Sequence, residues 1–178
     1  VQQSIPAIST TFLTALISSY SITAIAAYGI TGKLETILFY PAMALNMVLT
    51  TIIGQCVGGK RTDRVKDYLK CALKYGSLFL FLLSAIIVSS SKYLSMLFVR
   101  SSDVASIVSG YFLIVGIGYI LNTITNCFLG MLNGLGQPSK SMLLMIFYYI
   151  IVRMPLAYLF SYLGLRLNGI WIAVLISH

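Results

Sequence analysis

ILFYPAMALNMVLTTIIGQCVGGKRTDRVKDYLKCALK, residues 37–74, is the stretch on which the fold class turns. Residues 37–57 carry no charged side chain, and the run that follows holds Lys60, Arg61, Asp63, Arg64, Lys66, Asp67, Lys70 and Lys74. About 20 apolar residues carry a helix across a bilayer. A membrane strand would alternate apolar and polar positions over about 10 residues, whereas here nearly every position is apolar for twice that length. A helix also satisfies its own amides in lipid. The stretch therefore reads as a transmembrane helix that exits into a basic loop.

The same pattern recurs along the chain. Of 178 residues, 58% are hydrophobic and 9% charged, and the mean hydropathy is +0.93. Soluble domains carry about 25% charged residues, because a protein in water must clothe its apolar interior. The expected fold is all-α and integral to the membrane: a six-helix transmembrane bundle over residues 1–178, the last helix truncated. Spans are expected at about 5–30, 37–57, 75–88, 104–132, 141–163 and 168–178, the last partial. Gly29, Gly32 and the Lys33/Glu35 pair mark the first loop, Lys92 to Asp103 a later one, and Asn133 to Pro138 a tight turn. The first residue is Val, and no signal-peptide pattern precedes the first span. The sequence reads as a piece of a longer protein.

Several function classes drop out. The net charge of +8 comes without an aromatic-basic platform, so no nucleic-acid partner is expected; in membranes such an excess sets orientation. Cys56, Cys71 and Cys127 are widely spaced and the lone histidine is His178, which leaves no metal site or disulfide framework. No intramembrane nucleophile with a base, paired acids or metal cluster marks an enzyme. The loop at 58–74 carries six basic and two acidic residues. With Lys140 in the turn before the fifth span, it is expected in the cytoplasm together with the amino end.

Polar residues at membrane depth are the candidates for function. Thr11, Thr14, Ser18 and Ser21 share one helix face by spacing. Asn46, Thr50 and Gln55 follow on the second span, and Tyr119, Asn122 and Asn126 on the fourth. Such stripes either bond between helices or line a polar cavity. Arg153, one turn after Tyr149, has room to snorkel outward; a role bonding helix-end carbonyls near Pro155 is ranked above substrate contact, and Arg153 stays among the cavity-lining candidates. Pro41 and Pro155 are the candidate kinks or hinges. No Asp or Glu falls within any complete span so drawn.

AIAAYGITGKLETILFYPAMALNMVLTTIIGQCVGGKRTDRV (residues 24–65) and GMLNGLGQPSKSMLLMIFYYIIVRMPLAYLF (residues 130–160) together resemble the multidrug and toxic compound extrusion (MATE) family. The shared elements are the AAYGI run, a Pro-containing span with a GQ–GG–R exit, a G-x-L-x-G-x-G turn and an R-x-P-L pattern. The resemblance implies a twelve-helix fold in two lobes around a central cavity, with this chain the carboxy-terminal lobe. It also implies half of a secondary antiporter in the plasma membrane, exporting small organic cations or amphipathic compounds in exchange for Na+ or H+ by alternating access. The implied partners are the amino-terminal lobe and membrane lipid. One branch of the family carries two carboxylates in this lobe; counting from Pro6 and Gly130 puts Thr14 and Asn122 at those positions. Coupling by Na+ or H+ is then expected in the missing amino-terminal lobe, with no other cofactor. The competing readings are a lipid-linked oligosaccharide flippase of the same superfamily and an inactive half-transporter or structural partner subunit.

Overall fold

A computed structural model describes residues 4–98, 101–162 and 166–177; the expectations that fall on Arg100, Leu163 and His178 lie outside them. No strand occurs among the described residues. The chain forms α1 (Ser4–Ser18), α2 (Ile22–Gly58), α3 (Val65–Phe98), α4 (Ser102–Val115), α5 (Gly118–Gly134), α6 (Pro138–Ile146), α7 (Met154–Phe160) and α8 (Arg166–Ser177). A 3-10 turn, Thr62–Arg64, precedes α3, and a π-helical stretch, Phe147–Arg153, joins α6 to α7. This is a membrane helical bundle.

The first two spans fall elsewhere than expected. The chain breaks at residues 19–21, where the Ser21 side chain accepts from the Ala24 amide at 3.1 Å and caps α2. Helix α2 then runs for 37 residues, about 55 Å at the α-helical rise. The expected spans 5–30 and 37–57 are thus corrected to Ser4–Ser18 and Ile22–Gly58, and Lys33 and Glu35 lie in a helix rather than a loop. Gly29 and Gly32 do not end it, because isolated glycines cost a helix only about 1 kcal/mol each. The third span is also longer than residues 75–88. Ser89 and Ser91 return their hydroxyls to the Ala85 and Val88 carbonyls, so the serine run and Lys92 continue α3 instead of ending it.

The fourth span is broken without a proline. Helices α4 and α5 meet at Gly116–Ile117 and are bent by 52°. The Ser84 hydroxyl on α3 donates to the Gly116 carbonyl at 3.0 Å, partnering a group near the break. By contrast α2 passes through Pro41 without interruption. Pro155 stands at the start of α7, directly after the π-helical stretch. The wider π turn accommodates the amide hydrogen bond that proline cannot make.

Helices α2 and α5 run in the same direction with a nearly constant offset. Asn46 meets Asn126, and Thr50 meets Gly130. Their closeness depends on Gly130 and Gly134, one helical turn apart on α5. A Cβ on Gly130 would lie 2.6 Å from the Asn46 carbonyl oxygen, and one on Gly134 would lie 2.8 Å from the Ile53 Cβ. These glycines are a helix-packing face of the small-xxx-small kind. The turn itself is carried by Gly136, whose φ is +75°, a region that favours glycine. We expect Gly130→Ala to lower stability by about 1–3 kcal/mol, the cost of overpacking, read as an earlier thermal-unfolding midpoint in detergent. Gly29→Ala, which meets nothing within 4 Å, should leave the midpoint unchanged or raise it.

Candidate functional site

Residues two apart on a helix point to nearly opposite faces, so Lys33 and Glu35 part company. Lys33 is exposed. The Glu35 carboxyl turns inward, where Oε1 accepts hydrogen bonds from Tyr119 at 2.7 Å and from Tyr111. Tyr111 belongs to α4 and Tyr119 to α5, on either side of the bend. Both rings are 1% exposed. Glu35 is therefore level with the middle of the bent span, and the expectation that no acid enters a span is overturned.

Further aromatic rings pack against the two phenols and Tyr28. Trp171 of α8 meets Tyr111 edge-on at 4.7 Å and stacks on Tyr28 at 6.0 Å, and Phe39 meets Tyr119 edge-on at 5.9 Å. Arg153 lies within electrostatic range of Glu35 and Tyr28. Arg153 does not snorkel outward. It is 5% exposed, its Nε donates to the Ser177 hydroxyl of α8 at 2.7 Å, and its guanidinium stands 4.6 Å from the centre of the Tyr149 ring. A charge inside a span is tolerated where the bundle interior supplies partners, and α8 supplies one here.

A second polar group runs between α2 and α5. Asn126 donates to the Asn122 carbonyl at 2.9 Å, Asn46 donates to the Asn126 side-chain oxygen at 3.4 Å, and Thr50 donates to the Asn46 carbonyl at 2.8 Å. Asn122 is 2% exposed. Three expected site residues stand apart from both groups. Thr14 and Ser18 are exposed on α1 and donate to the Thr10 and Ala15 carbonyls of their own helix; Gln55 is exposed near the end of α2. Ser21 caps α2, so it does not extend the α1 stripe.

Of the residues expected from sequence, Asn46, Asn122 and Asn126 come together, Tyr119 bonds Glu35 and Arg153 bonds Ser177; Glu35, Tyr28 and Tyr111 were not among them. The missed signal was the serine cap at Ser21, after which no proline interrupts the helix until Pro41. Replacing Glu35 by Ala leaves two buried phenol hydroxyls without their acceptor, at roughly 1–3 kcal/mol each. Its thermal-unfolding midpoint should fall clearly, while Lys33→Ala should stay within about 0.5 kcal/mol of the parent.

The MatE family model matches residues 1–159. A protein of Shewanella oneidensis named FAD transporter is 28% identical over 92% of this chain and 36% of its own length. A probable multidrug resistance protein NorM of Bacillus cereus is 23% identical over 93% of this chain and 37% of its own. The chain thus spans little more than a third of the curated relatives it matches. Among solved structures, the MATE transporter ClbM in complex with Rb+ superimposes with a TM-score of 0.92 at 20% identity, covering 99% of this chain and 41% of ClbM; that likeness concerns the fold.

Proposed function

Because this chain belongs to the MatE family, we propose that it forms the carboxy-terminal lobe of a plasma-membrane antiporter that exports cationic or amphipathic organic compounds in exchange for Na+ or H+. The observation that carries this reading is the family match over residues 1–159, supported by relatives named as probable multidrug resistance proteins. The partner is an amino-terminal lobe, and substrate moves through the space between the two lobes by alternating access. The exposed Thr14, Ser18 and Gln55 face that space in this reading, and the Asn46–Asn122–Asn126 group sets the polarity of its wall. Pro155 and the π-helical stretch before it give α7 a place to hinge, whereas α2 runs unbroken through Pro41.

The corrected spans support the orientation. The connection between α1 and α2, residues 19–21, carries no charge, whereas residues 58–74 carry six basic and two acidic side chains. The positive-inside rule then puts the latter loop and the amino end in the cytoplasm. The reason for assigning all coupling to the other lobe no longer holds, since Glu35 supplies a carboxyl within a span. A second substrate class has its own support: the Shewanella oneidensis relative is named FAD transporter.

The test uses the full-length protein containing this lobe, reconstituted in vesicles with an imposed proton or sodium gradient. Efflux of a cationic dye that stops when the gradient is collapsed is the expected result. Gradient-driven movement of FAD without dye efflux would transfer the reading to the second class, and movement of neither would end it. Separately, a cysteine introduced at Asp63 should react with an impermeant reagent only from the cytoplasmic side; labelling from outside intact cells would reverse the orientation.

A further inference from the structure

We propose that Glu35, with Tyr111 and Tyr119, is a proton-binding site that clamps the bend of the fourth span. The ligand is a proton from the aqueous phase, taken up by the Glu35 carboxylate to give the neutral acid. Glu35 is half-buried, and its Oε1 accepts from a hydroxyl on each side of the Gly116–Ile117 break. Those two bonds tie α4 and α5 separately to α2, so they hold the 52° angle between them.

The groups around the carboxyl decide which ligand fits. On α2 the neighbour is Tyr28, while Lys33 is exposed. Helix α1 holds no titratable side chain. On α3 every charged or titratable side chain is exposed. Helices α4 and α5 supply Tyr111 and Tyr119, and Arg153 is in electrostatic range. Hard cations such as Ca2+ and Mg2+ take about six oxygen ligands, against one carboxyl and two phenols here, walled by Phe39 and Trp171. A proton needs no such shell.

Protonation changes the clamp directly. A carboxylate accepts charge-assisted hydrogen bonds; a neutral acid accepts bonds roughly half as strong and has an O–H of its own to place. The net charge of the Glu35–Arg153 surroundings rises by one, and both ties across the bend weaken together. The α4–α5 angle is then free to change when the proton arrives. This deepens the antiporter reading by giving this lobe its own proton site, at a position distinct from Thr14 and Asn122.

The experiment reads the site and the bend without measuring transport, so its failure is distinguishable from failure of the antiporter reading. Full-length protein in lipid nanodiscs, with its native cysteines replaced, is spin-labelled at cysteines introduced for the exposed Leu113 on α4 and Phe128 on α5. The expected result is a label distance that shifts as pH is lowered, and that in Glu35→Gln stays at its low-pH value throughout. Infrared difference spectra of the parent should show a carboxylic-acid carbonyl band appearing over the same pH range and absent from Glu35→Gln. If that variant does not fold, the double variant Tyr111→Phe/Tyr119→Phe should keep the infrared band and lose the distance shift. A carboxyl that does not titrate, or a distance shift that survives in either variant, overturns the proposal.

Discussion

Every polar group that enters the hydrocarbon must find a partner inside the protein, and the architecture of this lobe follows from that constraint. The main-chain groups meet it by forming helices. The Glu35 carboxyl meets it with two phenol hydroxyls from α4 and α5, and Arg153 with Ser177 of α8. The Gly116 carbonyl, at the break between α4 and α5, takes the Ser84 hydroxyl of α3. Each bond joins different helices, so satisfying the polar groups and assembling the bundle are one event.

Close approach of α2 and α5 underlies one of these partnerships, Glu35 with Tyr119. Lipid tails are as apolar as leucine, so helices in a membrane gain little by hiding apolar surface from one another. They gain by packing backbones tightly where side chains are small. Gly130 and Gly134 let the α2 backbone come within van der Waals distance. That contact sets the register in which Asn46 reaches Asn126 and, further along the same pair, Glu35 reaches Tyr119. The packing face and the polar site are two stretches of one interface.

Several features were legible residue by residue. The uncharged run at residues 37–57 is helical, the basic run after Lys60 includes the short turn Thr62–Arg64, and Asn46, Asn122 and Asn126 come together. Pro41 and Gly116 show where such reading fails. Proline is the local breaker, yet α2 continues through Pro41, while the 52° bend falls at a glycine. Neighbours meet the fourth span at its break: Ser84 takes the Gly116 carbonyl, and a Cβ at Gly116 would lie 2.9 Å from the Val88 side chain. Lys33 and Glu35 misled in the same way. Two charges beside two glycines look like a loop when solvent is the only available partner, but Tyr111 and Tyr119 lie more than 75 residues downstream.

The amino-acid sequence by itself determined that this chain is a multi-span helical membrane protein and to which family it belongs, because hydropathy and short motifs are local properties. It also singled out Asn122 and Arg153, which are buried, since polarity inside an apolar run is visible without coordinates; Ser9, Thr31, Ser84 and Thr123, buried as well, were not marked by it. Only the tertiary structure decided where the first two spans divide, that the fourth span bends, and that Glu35 lies within the bundle. The physical reason is that the cost of a charge or a helix break in the membrane depends on what other helices bring to it, and those partners are distant in sequence.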